Sequence, residues 1–137
     1  MIMRNLVIII AALMAFSCGN SQQGGAVAQE RAQAAVQIKN FKVEQFKELL
    51  KDTSVVLLDV RTPQEFAQGH IEGAMNIDVK DSLFVQNVLA GIPKGAKVAV
   101  YCRSGRRSMD AAGKMCAQGY EVVNLQGGIL AWEAVGK

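Results

Sequence analysis

The amino-acid sequence predicts an α/β domain in three layers, with a central, mostly parallel sheet flanked by helices. Three observations predict it. Short apolar runs recur along residues 38–137, each is followed by a segment with helical spacing, and Gly or Pro punctuates the joins. Runs this apolar suit strands buried on both faces, because a strand with one wet face would alternate polar and apolar residues. With 137 residues, half of them apolar and a fifth charged, the chain has room for one such domain and one core.

The elements follow in order. Residues 43–50 place Phe46, Leu49 and Leu50 at helical spacing and predict a short amphipathic helix. Residues 55–60, apolar except for Asp59, read as a first strand. Thr62-Pro63-Gln64-Glu65 carries the marks of a capped helix start, with Pro at the first helical position and Glu three residues after Thr, and Gly69 ends that helix. Residues 74–77 give a brief second strand, residues 84–89 a helix ending at Gly91-Ile92-Pro93, and residues 97–101 a third strand. A helix over 106–118 closes at Gly119, residues 121–125 form a fourth strand, and a last short helix within 127–135 carries Trp132.

Residues 1–17 read as an export signal. Arg4 supplies the positive start, and residues 6–16 are uninterrupted apolar residues, too few for a bilayer-spanning helix of about 20. Ala15-Phe16-Ser17-Cys18 resembles the lipobox of bacterial lipoproteins, with cleavage before Cys18 and lipid on that cysteine, although Ala15 stands where leucine is usual. A rival cleavage site, Ala26-Val27-Ala28, lies far beyond the apolar run. The expected product is a periplasm-facing lipoprotein of the bacterial cell envelope, with a soluble periplasmic form as the alternative. Residues 18–37, rich in Gln, Ala, Gly and Ser, read as a flexible tether. The net charge of +3 falls to about +2 without Arg4, which argues against nucleic acid as the main partner. Export leads to a compartment where disulfides persist, so a Cys102–Cys116 bridge has to be weighed. The segment between them reads as a loop and a helix, which would hold the sulfurs about 15–20 Å apart.

The chemistry concentrates in residues 100–108, V-Y-C-R-S-G-R-R-S. Cys102 closes the third strand, Arg103 and Ser104 lead into a bend at Gly105, and a helix begins near Arg106 or Arg107, followed by Ser108. Sites in open parallel sheets form where the chain leaves the carboxyl end of a strand for a helix. Successive amides feeding a helix N-terminus cradle an anion. A cysteine on the floor of that cradle, among guanidinium charges, has its thiolate stabilised below the free value of about 8.5. It is then a nucleophile at neutral pH. A plainer reading makes Cys102 a small buried hydrophobe and the arginines a solvated face. It leaves the coincidence of strand end, glycine bend and arginines without a reason.

Cys102-Arg103-Ser104-Gly105-Arg106-Arg107-Ser108 resembles the active-site loop of rhodanese-type sulfurtransferases. Asp59-Val60-Arg61, Glu65-Phe66 and Gly69-His70-Ile71 with Gly73-Ala74 and Asn76-Ile77 resemble a second segment of that family, and Leu125, Gly127-Gly128 and Trp132 a third. The likeness spans roughly residues 38–137 and is to small, exported, single-domain members. It implies a rhodanese-like three-layer fold. It also implies that Cys102 attacks the outer sulfur of thiosulfate, or of another persulfide donor, and is left as a persulfide while sulfite departs. A thiol acceptor, a thioredoxin-like protein or, in assay, cyanide then takes the sulfur. By the same resemblance Arg103, Arg106 or Arg107 offsets the charge of the dianion, Arg107 tends to organise the loop, and no metal or organic cofactor is required.

Other residues carry two readings each. Asp59, in an apolar strand, either holds neighbouring connections through a buried ion pair or fixes the loop; the ion pair is the expected role. Arg61 resembles a position that lines a pocket mouth. His70 is the only histidine and reads as a turn-stabilising residue rather than a base; Cys116 reads as core rather than a resolving thiol; Trp132 reads as packing. Two rival functions remain open: a persulfide carrier or thiol-redox partner in the envelope, and a phosphatase or arsenate reductase. The second needs one more residue between Cys102 and an arginine than the loop provides.

Overall fold

The computed structural model describes residues 38–136. The export signal, Cys18 and the tether fall outside the described residues. Five strands, β1 (Lys39–Phe41), β2 (Val56–Asp59), β3 (Met75–Asn76), β4 (Lys97–Tyr101) and β5 (Glu121–Leu125), form one sheet in the order β1-β5-β4-β2-β3. Every pairing is parallel. The helices are α1 (Val43–Leu49), α2 (Pro63–Gln68), α3 (Phe84–Gly91), α4 (Arg106–Cys116) and α5 (Gly128–Val135). The predicted α/β class holds, with two refinements: the sheet is wholly parallel, and it gains β1. That strand is three residues long and pairs on one side only, with Lys39 and Asn40 exposed, so it never shows the apolar run of an interior strand. Among the described residues no helix is long and apolar enough to cross a membrane.

The core divides between the two faces of the sheet, as side-chain alternation along each strand requires. Leu58, Val60, Val98, Val100 and Val122 pack with Phe84, Val88 and Ile92 and with Ala111, Ala112 and Met115 of α4. Leu57, Ala99, Tyr101, Val123 and Leu125 pack on the other side with Val43 and Phe46 of α1 and Ile129 of α5. The chain leaves β2 toward β3 and leaves β4 toward β5, in opposite directions along the sheet. The carboxyl ends of β2 and β4 therefore flank a crevice where neither connection covers the edge, the usual place for a ligand in such a sheet.

A buried ion pair fastens that crevice. The Arg61 Nε donates to Asp59 Oδ1 and Oδ2 at 3.0 and 3.1 Å, and Nη2 donates to Oδ2 at 2.7 Å. Nη2 also donates to the Gly69 carbonyl beyond α2 at 2.7 Å. Asn76 of β3 donates to the Asp59 and Arg61 carbonyls at 3.1 and 2.8 Å. The Arg61 guanidinium lies 5.7 Å from the Tyr101 ring centre, and the Tyr101 hydroxyl accepts the Ile71 N–H at 3.0 Å. The ends of β2, β3 and β4 and the exit from α2 thus meet around the Asp59–Arg61 pair, β3 through backbone carbonyls and β4 and Gly69 through the guanidinium. Asp59→Asn leaves the Arg61 charge buried without its counter-charge. It should lower the unfolding free energy by about 3–5 kcal/mol, measured by urea denaturation; an unchanged midpoint would make the pair dispensable.

Candidate active site

Cys102 follows β4, and the chain turns into α4 within three residues. The turn is possible because Gly105 takes φ 104°, a left-handed conformation that costs glycine little. The turn aims polar hydrogens at the sulfur. Gly105 N–H donates to Cys102 Sγ at 3.0 Å and the Ser108 hydroxyl donates at 3.4 Å. The amides of Ser108 and Ser104 join them. Burial pushes the Cys102 thiol up, but the Ser108 hydroxyl and the Ser108, Gly105 and Ser104 amides together outweigh it and hold the thiol below its ordinary value. The ring of inward amides read from the sequence is present. Its electrostatic partners differ: hydrogen bonds to the sulfur replace the expected ring of guanidinium groups.

The arginines stand further back. Arg107 grips Glu65, Nη1 to Oε2 and Nη2 to Oε1, both at 2.8 Å. Glu65 also accepts from the Thr62 N–H and hydroxyl at 3.0 Å, closing the capping box of α2. The Arg107 guanidinium, against some burial and with help from Thr62, holds the Glu65 carboxyl well below the usual carboxylate range. One pair thereby locks the first turn of α4 to the first turn of α2. Arg103 and Arg106 are exposed and form no salt bridge among the described residues.

The loop is braced from behind by α5. Ile129 N–H donates to the Cys102 carbonyl at 2.9 Å and Leu130 N–H to the Arg103 carbonyl at 3.2 Å. Gly128, at φ 62°, lies so close that a Cβ there would sit 2.3 Å from the Arg103 oxygen. Gly127 and Gly128, both at positive φ, make the turn into α5, and Gly128 also lets helix amides reach the loop carbonyls, a contact that local sequence does not show.

The accessibility of the sulfur differs from expectation. The sequence reading has an open thiolate on the floor of a bowl, whereas Cys102 is 1% exposed. Strand alternation is the reason: Cys102 continues the face of Val98 and Val100 and points beneath α4 into the core on that side. The next residues, Arg103 and Ser104, are exposed and their side chains make no hydrogen bonds among the described residues. Beside them lies a cavity of about 410 Å³, lined by Arg61, Gln68, Arg103, Leu130 and Glu133 among others. Cys102 does not line it; Arg103, its neighbour, does. Arg61 spends Nε and Nη2 on Asp59 and Gly69, which leaves Nη1 without a partner among the described residues.

The remaining candidates lie elsewhere. His70 donates from Nδ1 to the Phe66 carbonyl at 3.0 Å and stacks on the Phe66 ring at 3.7 Å, away from the sulfur. Cys116 ends α4, a helix length from Cys102, and both cysteines are free. Burial pushes the Cys116 thiol up. Trp132 packs edge-on against Phe46 with Lys47 over its ring.

The comparisons with known proteins agree with this fold. The family model of the rhodanese-like domain matches residues 42–135. A sulfurtransferase of Allochromatium vinosum is 42% identical over 97 residues, covering 69% of this chain and 88% of that protein. A thiosulfate sulfurtransferase, GlpE, of Pseudomonas putida is 34% identical over 99 residues, covering 72% and 87%. The crystal structure of a rhodanese-like domain protein from Staphylococcus aureus superposes with a TM-score of 0.61 at 30% identity, covering 69% of this chain and 91% of that one. The chain belongs to the rhodanese family. Within it, the chain is a single rhodanese domain of the sulfurtransferase type.

The opposite shifts of the two thiols are measurable. Alkylation by iodoacetamide, followed peptide by peptide by mass across pH 6–10, should show a midpoint for Cys102 below the free-thiol value of about 8.5 and one for Cys116 above it. The reverse order would mean that burial outweighs the donors at Cys102.

Proposed function

We propose that the protein moves sulfane sulfur from thiosulfate, or another persulfide donor, to a thiophilic acceptor through a Cys102 persulfide. The single observation that carries this reading is the convergence of hydrogen-bond donors on one buried sulfur just past the carboxyl end of β4. In the loading step the thiolate gives an electron pair to the outer sulfur of thiosulfate, the S–S bond breaks, and sulfite leaves with its pair. Arg103 and Arg106, exposed beside the loop, offset the charge of the approaching dianion. Because Sγ is covered, loading needs the exposed Arg103 and Ser104 side chains to swing aside while the loop amides stay in place. The cavity is several times larger than a five-atom dianion needs, and its size suits the acceptor, an organic thiol or the cysteine of a thioredoxin-like protein; cyanide serves in assay.

A phosphatase or arsenate reductase reading is disfavoured by Arg107: it is held by Glu65, so it does not close over an oxyanion on the loop. The carrier role differs from the enzymatic one only in its donor. The envelope location, with lipid on Cys18 as membrane anchor, belongs to the same proposal and is supported by the export pattern in residues 1–18.

Intact mass after thiosulfate treatment should rise by one sulfur, return on cyanide addition, and stay unchanged in Cys102→Ser, whose hydroxyl is no anion near neutral pH. Cys116→Ser should retain most of the turnover. Loading of the Cys102→Ser protein, or collapse of the folded Cys116→Ser protein, would reassign the nucleophile.

Raising ionic strength should raise the apparent KM for thiosulfate several-fold with little change in kcat, as steering of a dianion is screened over about 8–10 Å. A KM flat with salt would leave Arg103 and Arg106 without a part in substrate capture.

A further inference from the structure

Ser108 occupies an unusual position for a serine. It is the third residue of α4, and a serine inside a helix either faces water or bonds back to the carbonyl four residues earlier. Ser108 is 0% exposed, and the hydrogen bond its hydroxyl makes among the described residues goes to Cys102 Sγ. The other donors on the sulfur are backbone amides, which no substitution except proline removes. The hydroxyl is the one donor that the side chain alone supplies.

We infer that Ser108 is a catalytic residue of the discharge step, the donor that stabilises Cys102 Sγ as the leaving group when the acceptor takes the sulfur. This rests on the persulfide reading above and adds a division of labour within it. During loading, Sγ is the nucleophile and its charge moves onto the transferred sulfur, so the bond from Ser108 is strongest before reaction and weakens along it. During discharge the acceptor's electron pair attacks the terminal sulfur, the bond to Sγ breaks, and that pair returns to Sγ. Charge then develops where the Ser108 hydroxyl and the loop amides already point, and a group placed against developing charge accelerates the step that develops it. With cyanide the balance is a terminal persulfide anion plus cyanide giving the Cys102 thiolate plus thiocyanate, with no proton gained or lost.

The same bond has opposite effects on the two half-reactions. Stabilising a thiolate makes it more abundant at neutral pH, less nucleophilic once ionised, and better as a leaving group, with a Brønsted slope of about 0.4–0.5 for attack. A scaffolding serine would have no such signature. Its loss would slow both steps together or neither.

The test separates the half-reactions in wild type and Ser108→Ala. Loading is followed by sulfite release from thiosulfate in a single turnover. Discharge is followed by thiocyanate release from protein whose persulfide has been made with inorganic polysulfide. Removing the hydroxyl should raise the alkylation midpoint of Cys102 by about one pH unit. On the high-pH plateau it should speed loading about threefold and slow discharge about threefold or more. Equal slowing of both steps, or no change in the discharge plateau, overturns the inference. Because the discharge arm uses chemically made persulfide, its outcome stands even where thiosulfate fails to load the wild-type protein, a failure that would instead count against the proposed donor. A urea midpoint near that of wild type shows that Ser108→Ala is folded; the substitution deletes one buried hydroxyl and creates no large cavity.

Discussion

The whole carboxyl edge of the sheet depends on a contest at one atom. Burial at 1% exposure works against a charge on Cys102 Sγ, and hydrogen bonds from Gly105, Ser104 and Ser108 work for it. The donors win only while all of them stay within reach, since an amide displaced by an ångström loses most of its hold on a sulfur. A dry environment strengthens each of those bonds and penalises any that is lost. The rest of the site can be understood as the means of keeping that geometry fixed.

Three braces do so from three sides. The Arg107–Glu65 pair joins the start of α4, which carries Ser108, to the start of α2. Amides of α5 hold the Cys102 and Arg103 carbonyls, which orients the following peptide groups with their N–H bonds toward the sulfur. The Asp59–Arg61 pair sets the end of β2 against β4 through Tyr101 and reaches across to Gly69 at the exit of α2. Of the two ion pairs, Asp59–Arg61 is buried, where a charge has few alternatives to its partner, and Glu65–Arg107, partly exposed, holds by its two-pronged geometry. This explains how a short loop can hold several donors on one sulfur.

What the sequence shows and hides divides along the range of the interaction. Strand runs, the Thr62–Glu65 capping box, the Gly105 bend and the position of Cys102 at a strand end are local features, and each is legible in a few neighbouring residues. β1 escapes because an edge strand of three residues has no apolar run to display. The Glu65–Arg107 pair spans 42 positions, and Glu65 already has a sufficient local explanation as a cap, so nothing in the sequence calls for a second partner. The near-contact of Gly128 with the loop is hidden in the same way, behind an ordinary glycine turn. The covering of Cys102 was deducible: alternation from Val98 through Val100 puts its side chain on a buried face, and the expectation of an open bowl overlooked that parity.

That parity bears on the reaction class. A sulfur pointing into the core beneath a helix start leaves little room for a tetrahedral group bonded directly to it, and the arginine that would clasp one is committed to Glu65. A single sulfur atom adds little volume and can be drawn toward the same amides. In the proposed scheme the reacting thiolate and the persulfide anion each carry one negative unit on adjacent sulfurs, so one set of donors serves both with little rearrangement. A site that must reverse its own covalent step needs that symmetry, since donors suited only to the resting thiolate would trap the enzyme unloaded, and donors suited only to the persulfide would trap it loaded. The mixed set here, backbone amides around the sulfur and one side-chain hydroxyl beneath it, meets both requirements.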